Sequence, residues 1–123
     1  MPWLSLLLTL QQALWIDVPF IHQDKSGCGS ASIWMVMKHW QPDAAIDVDD
    51  IQRQLYSKAA GGIYAKDMVR YFESHAYRTF TIRGEWSDLE EHVSKGRPLI
   101  VSLERNRLGV PLHYVVVAGV DSV

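Results

Sequence analysis

The stretch that most constrains the fold is the apolar run Ile33–Met37, which follows a block of small residues at positions 27–32. A helix that carries apolar residues on nearly every position has no polar side to present to water. The segment Ser26–Trp40 therefore predicts a helix that is buried all round, with the other elements packed against it. A chain of 123 residues can form one such core and is too short for two ordinary domains.

Three further segments have the pattern of amphipathic helices. In the first, 47–56, Asp47 is a plausible N-cap. The second, 63–77, has an apolar stripe. In the third, 87–96, Ser87 and Glu90 have the spacing of a capping box, and Gly96 ends the helix.

The β-rich segments are 78–82, 97–103 and 113–120. The last two are strongly apolar and are joined by a polar loop, which predicts a mainly antiparallel sheet packed against the helices. The fold class predicted from the sequence is α+β.

Composition excludes several function classes. The net charge of -2 and the scattered basic residues give no reason to expect a nucleic-acid partner. The single cysteine excludes an internal disulfide and a zinc site of the multi-cysteine type. Residues 1–14 are apolar but lack a preceding Lys or Arg. They are interpreted either as the remnant of an export signal or as a structural segment that packs on the domain, so export and a cytoplasmic location both stay open.

The single cysteine, Cys28, lies between two glycines at the predicted start of the buried helix. Backbone N–H groups and the positive end of the helix dipole favour a thiolate there. Gly27 and Gly29 are expected to allow a sharp turn and the approach of a substrate to the sulfur. The alternative is that Cys28 is a small buried hydrophobic residue.

Two other residues could complete acyl-transfer chemistry. Gln23, five residues before Cys28, could donate its amide to an oxyanion together with the Cys28 backbone N–H. His113 opens the last β-rich segment and could accept the thiol proton. Taken singly, Gln23 also fits an exposed loop residue, and His113 fits a partly buried residue at a strand end.

The other histidines carry weaker signals. His39, His75 and His92 lie toward helix ends, where solvent or helix carbonyls are the expected partners. His22 adjoins Gln23 and is interpreted as a bystander. A metal site of His22, Cys28 and His113 is a distant alternative, because three mixed ligands are too few for a signature.

The blocks "DVPFIHQDKSGCGSASIWMVMKHW" and "RPLIVSLERNRLGVPLHYVVVAGVD" resemble the double-glycine-leader (bacteriocin-processing) peptidase-like family of the papain-like cysteine peptidase superfamily. The resemblance extends from about Trp15 to the C-terminus and implies a papain-like peptidase domain over 15–123. It assigns Cys28 as the nucleophile, His113 as the general base and Gln23 as the oxyanion-hole donor. The implied reaction is hydrolysis of a peptide or protein substrate through a thioester, with no metal or organic cofactor.

The sequence departs from the family pattern at the third member of the triad, an aspartate about fifteen residues beyond the histidine that orients the imidazole. Asp121 is a poor substitute, because eight residues of strand would carry it about 26 Å from His113. We expect either that the domain lacks its last strand or strands, or that Asp17 or Glu104 acts instead. An open sheet edge left by a missing strand would favour self-association.

Two other functions remain open on the same residues. One is acyl transfer or transpeptidation, in which an amine replaces water as the acceptor of the thioester. The other is an inactive peptide-binding module, which the absent aspartate favours and the joint presence of Gln23, Cys28 and His113 opposes.

Overall fold

The computed structural model describes residues 14–22, 27–103 and 113–121. The elements in chain order are β1 (Leu14–Trp15), α1 (Cys28–Trp40), α2 (Val48–Leu55), α3 (Ala65–Ser74), α4 (Trp86–Ser94), β2 (Leu99–Leu103), β3 (His113–Val117) and β4 (Gly119–Val120). Most of the apolar segment 1–14 and the loop between β2 and β3 lie outside the described residues.

Helix α1 is the centre of the molecule, as the apolar run predicts. Its buried residues are Cys28, Gly29, Ser30, Ala31, Ser32, Ile33, Val36 and Met37. Burial is complete over the first turns and decreases toward the end, where Lys38 and His39 are half-buried and Trp40 is exposed. The predicted end at Trp40 is confirmed, whereas the predicted start at Ser26 falls outside the described residues.

Helix α2 forms where the sequence predicts it, and α3 forms within the predicted segment 63–77 but is shorter at both ends. The Asp47 carboxylate accepts a hydrogen bond from the Asp49 backbone N–H at 2.9 Å, which confirms Asp47 as the N-cap of α2. Each helix buries one stripe, through Ile51 on α2 and through Met68 and Phe72 on α3. This is the pattern of amphipathic helices that cover a core.

Helix α4 has its N-cap two residues earlier than the predicted capping box suggests, at Glu85 instead of Ser87. The capping box is formed by Glu85 and Asp88, and the Asp88 carboxylate accepts from the Glu85 N–H at 2.8 Å. The predicted pairing of Ser87 with Glu90 is therefore wrong, because Ser87 already lies inside the helix. The stop at Gly96 is confirmed, since its φ of +73° is a left-handed conformation that favours glycine.

Strands β2 and β3 form the predicted antiparallel pair. Leu99 lies opposite Val117, and the register continues without a break to Leu103 opposite His113. Strand β3 packs against α1, so the sheet covers the central helix. The described residues thus form four helices and two small antiparallel sheets, an α+β fold compatible with the papain-like class.

The segment 113–120 divides into two strands instead of forming one. The Ala118 carbonyl accepts a hydrogen bond from the Ile16 N–H at 2.7 Å. Beyond it, Gly119 and Val120 pair with Trp15 and Leu14 of β1. The chain therefore changes partner at Ala118, which ends the pairing with β2 and starts the second sheet.

The prediction of a strand at 78–82 is wrong for the structure described. Phe80 is 78% exposed and Ile82 is 51% exposed, and no described strand pairs with this segment. Intrinsic preference for extended backbone is a weak guide, because a strand also needs a neighbour that accepts and donates its hydrogen bonds.

Two apolar clusters hold these elements together. The first joins α1, α2 and α3 to one face of β3; its buried members are Cys28, Ile33, Val36, Met37, Ile51, Ile63, Met68, Phe72 and Tyr114. The second has Ile16, Val93 and Val120 at its centre, with Val18, Leu89, Leu99 and Val117 packed against it. The paired strands β2 and β3 lie between the clusters. Among the described residues, no helix has the length and hydropathy needed to cross a membrane.

Replacing Gly29 with alanine tests how tightly α1 is packed. A Cβ at position 29 would lie 3.1 Å from the Ile63 Cβ, and Ile63 is 1% exposed. We expect overpacking to cost about 1–3 kcal/mol. This outweighs the gain of about 1 kcal/mol from removing a helical glycine.

The measurement is denaturant unfolding of Gly29→Ala beside Gly84→Ala. A Cβ at Gly84 meets nothing within 4 Å, so this control should change the free energy of unfolding by less than about 0.5 kcal/mol. Equal stability of the two variants would show that the first turn of α1 has room to spare.

Candidate functional site

Cys28 is the first residue of α1, as predicted, and follows the N-cap Gly27. No acidic residue lies in the first turn of α1, so none there opposes the positive end of the helix dipole. Cys28 is nevertheless only 5% exposed and belongs to the first apolar cluster. The thiol therefore combines the location of a nucleophile with the burial of a structural residue.

The small residues around Cys28 are packed instead of leaving the first turn open. The Ser30 hydroxyl donates to the Gly27 carbonyl at 3.0 Å, and the Ser32 hydroxyl donates to the Cys28 carbonyl at 2.7 Å. The missing side chain of Gly29 makes room for Ile63. We expected Gly29 to let a substrate approach the sulfur, and this expectation is wrong. The Ile63 side chain packs in the space that a Gly29 side chain would occupy.

Tyr114, the second residue of β3, joins this group. It is 3% exposed and belongs to the same cluster as Cys28. Its hydroxyl donates to the Ile63 carbonyl at 2.6 Å, in a buried bond between residues 51 positions apart. The starts of α1 and β3 and the segment before α3 therefore meet at one place.

The electrostatics of Tyr114 support the same placement. Burial raises the pKa of its phenol above the ordinary 10.0, and negative charge on Cys28 and then on Asp67 raises it further. The sulfur of Cys28 and the carboxylate of Asp67 are thus near enough to the hydroxyl to interact with it.

His113 is the first residue of β3 and is half-buried. It is the chain neighbour of Tyr114, so their Cα atoms are about 3.8 Å apart across a trans peptide. Consecutive strand residues face opposite sides. Tyr114 and Val116 pack with the first cluster and Val117 with the second. His113 therefore lies at the end of β3 where Tyr114 joins the cluster that contains Cys28.

The remaining predicted site residues are distributed as follows. Gln23 and Glu104 lie outside the described residues. Asp17, the other proposed substitute for the missing aspartate, is exposed, as are His22 and Asp121. The pairing of Cys28 with His113 and Gln23 stays a prediction.

His75 has the kind of partner that the sequence suggests, because its Nδ1 lies 2.7 Å from the Tyr71 carbonyl of its own helix. His39 Nε2 instead lies 3.1 Å from the carbonyl of Gly96, which follows α4. Among residues 14–22, 27–103 and 113–121, no group of three or more His, Cys, Asp or Glu is placed to hold a metal ion. The alternative of a metal site formed by His22, Cys28 and His113 is therefore wrong.

Tyr114, Ile63 and Asp67 are the residues of this site that sequence reasoning missed. Period-2 alternation in "HYVVV" could have indicated that Tyr114 and His113 face opposite sides. Nothing in the sequence indicates that Ile63, fifty-one positions earlier, accepts the Tyr114 hydrogen bond.

Replacing Cys28 with serine tests the contact between Cys28 and Tyr114. We expect the pKa of Tyr114 to fall toward its ordinary value, because serine removes one of the negative charges that raise it. Absorbance titration of each protein, with Tyr114→Phe subtracted, isolates this phenol. Because the pKa of Tyr114 is raised in the folded state, the folded protein holds the phenol proton more tightly than the unfolded chain does. The protonated phenol therefore contributes its full stabilisation below about pH 10, and this contribution is lost as the pH rises through the raised pKa.

Tyr77 provides the control, because burial is the cause that raises its pKa. Its titration should be the same in both proteins. An unchanged Tyr114 titration in Cys28→Ser would show that the sulfur and the hydroxyl are too far apart to interact.

Comparison with known proteins identifies the family. The model of the Peptidase_C39 like family matches residues 15–123. No curated protein and no solved structure matches the chain. The family match covers most of the sequence and includes both the Cys28 and the His113 segments. The chain therefore belongs to the Peptidase_C39 like family, which indicates a cysteine-peptidase-like function.

Proposed function

We propose that this protein is a cysteine peptidase that hydrolyses peptide bonds, with Cys28 as nucleophile, His113 as general base and Gln23 as oxyanion donor. The observation that carries the proposal is the position of Cys28 at the first residue of the central helix, in a chain of this family. A helix start supplies outward-pointing N–H groups and a positive dipole end, both of which favour an anion.

The proposed reaction has two halves. The Cys28 sulfur attacks the substrate carbonyl carbon, and His113 accepts the thiol proton and gives it to the leaving amine. The amine departs and leaves a thioester on Cys28. Water, deprotonated by His113, then attacks the thioester, the carboxylic acid product leaves, and the sulfur regains its proton.

Charge develops on the substrate oxygen during each attack. The proposal assigns its stabilisation to the Gln23 side-chain amide and the Cys28 backbone N–H. The Cys28 N–H belongs to the first turn of α1, whose burial holds it in a fixed orientation. A donor that is already oriented needs no reorganisation when the charge appears, which is the origin of its effect on rate.

Acyl transfer to an amine uses the same intermediate, and the choice of acceptor separates it from hydrolysis. The products distinguish the two reactions. Hydrolysis adds the mass of one water to the acyl fragment, whereas acyl transfer adds the mass of the amine.

The inactive peptide-binding module is the second candidate, and a specific observation favours it. Cys28 is 5% exposed and belongs to an apolar cluster. This burial would suit a cleft that binds a peptide without cutting it. Activity of matched variants distinguishes this candidate from the peptidase.

The experiment is mass analysis of a peptide library after incubation with wild-type protein, Cys28→Ser and His113→Ala. We expect cleavage by the wild type, no detectable cleavage by Cys28→Ser, and a loss of about 10²–10⁴-fold in His113→Ala, the usual contribution of a general base. His75→Ala is the matched control, because His75 is exposed and bonds to its own helix. It should cleave at the wild-type rate.

Equal product from wild type and Cys28→Ser would contradict the peptidase proposal and leave the binding module. Full activity of His113→Ala, with none in Cys28→Ser, would reject His113 as the base while keeping the nucleophile.

A further inference from the structure

The segment Ser57–Tyr64, between α2 and α3, is a tight loop with its own hydrogen bonds. Ser57 and Gly62 form a β-bridge, with N–H to carbonyl distances of 2.8 and 3.3 Å. The Ser57 hydroxyl accepts from the Ala60 N–H at 3.3 Å. Gly61 takes a φ of +64°, which closes the turn at low cost for glycine. The loop is therefore a defined structural unit.

Ile63, at the end of this loop, lies directly against the first turn of α1. Its Cβ, Cγ1 and Cδ1 lie within 3.1–3.2 Å of where a Cβ on Gly29 would be. It is 1% exposed and belongs to the apolar cluster that contains Cys28. Ile63 thus packs against Gly29, the residue that follows Cys28 on α1, within the cluster that contains Cys28.

Tyr114 connects this loop to the proposed nucleophile. Its hydroxyl donates to the Ile63 carbonyl at 2.6 Å, and its phenol interacts with the charge of Cys28. Without this hydroxyl the Ile63 carbonyl would be buried without the bond, at a cost that a phenylalanine ring cannot offset. The same side chain therefore holds Ile63 in place and belongs to the buried cluster that contains Cys28.

We propose that Tyr114 is a positioning residue: by holding the Ile63 carbonyl, it fixes the loop Ser57–Tyr64 as the wall that limits the width of the approach to the Cys28 sulfur. The proposal deepens the peptidase function and rests on it for its biological meaning. The wall selects which acyl groups reach the sulfur, whereas His113 and Gln23 act on the bond that is broken.

The test is the size selectivity of Cys28 toward two neutral thiol reagents, iodoacetamide and the bulkier N-phenylmaleimide. For each protein the ratio of the two second-order rates is divided by the ratio for free cysteine at the same pH. In the wild type we expect discrimination against the bulky reagent. In Tyr114→Phe we expect this discrimination to fall by about fivefold, the change that corresponds to loss of one neutral hydrogen bond.

Two control variants separate positioning from general loss of stability. Ile51→Val truncates a residue that is 1% exposed on α2 in the same cluster, so it lowers stability without touching the bond to Ile63. Tyr77→Phe removes a tyrosine hydroxyl that bonds to Gln41 instead. Both should keep the wild-type selectivity. Ile63→Val removes a methyl group from the wall itself and so widens the approach. It should reduce discrimination against the bulky reagent even if Tyr114→Phe fails to fold.

Wild-type selectivity in both Tyr114→Phe and Ile63→Val would overturn the proposal, as would an equal loss in Ile51→Val. Alkylation needs neither His113 nor a peptide substrate. If the protein shows the expected selectivity but cuts no peptide, the peptidase function is refuted and the positioning role of Tyr114 stands. If it cuts peptides without this selectivity, the positioning role is refuted and the peptidase function stands.

Discussion

The contact of Ile63 with the bare Cα of Gly29 is the constraint on which the rest of the site depends. It brings the loop before α3 against the first turn of α1, and Tyr114 locks that loop by its hydrogen bond to the Ile63 carbonyl. Cys28 precedes Gly29 on α1, belongs to the same apolar cluster as Ile63 and Tyr114, and is 5% exposed.

The parts of the fold that the sequence predicts are those set by local patterns. The run Ile33–Met37 indicates the central helix, Asp47 caps α2, and Gly96 ends α4. The failures concern pairing partners. The segment 78–82 has the composition of a strand but no described neighbour, and Ala118 changes partner because the Ile16 N–H binds its carbonyl. Propensity describes the backbone preference of one segment, whereas a sheet forms only when two segments pair through hydrogen bonds.

The site shows the same division. The position of Cys28 at a helix start follows from the glycines and the apolar run, and His113 follows from the start of a β-rich segment. The bond between Tyr114 and Ile63 joins positions 51 residues apart, and no local pattern encodes it. The exposed location of Asp17 likewise depends on tertiary packing, so the sequence could name it as a substitute carboxylate without placing it.

The most direct test of the central claim, that Cys28 and His113 act as a pair, is an NMR measurement of the nuclear Overhauser effect between the Cys28 β protons and the His113 ring protons. If the pair forms, the sulfur and an imidazole nitrogen lie within or close to hydrogen-bond reach, about 2.6–3.2 Å, and the cross-peak should be present. Its absence, in a spectrum that shows the cross-peak between the Tyr114 ring and Ile63, would place the imidazole beyond the reach of the sulfur and would contradict the account.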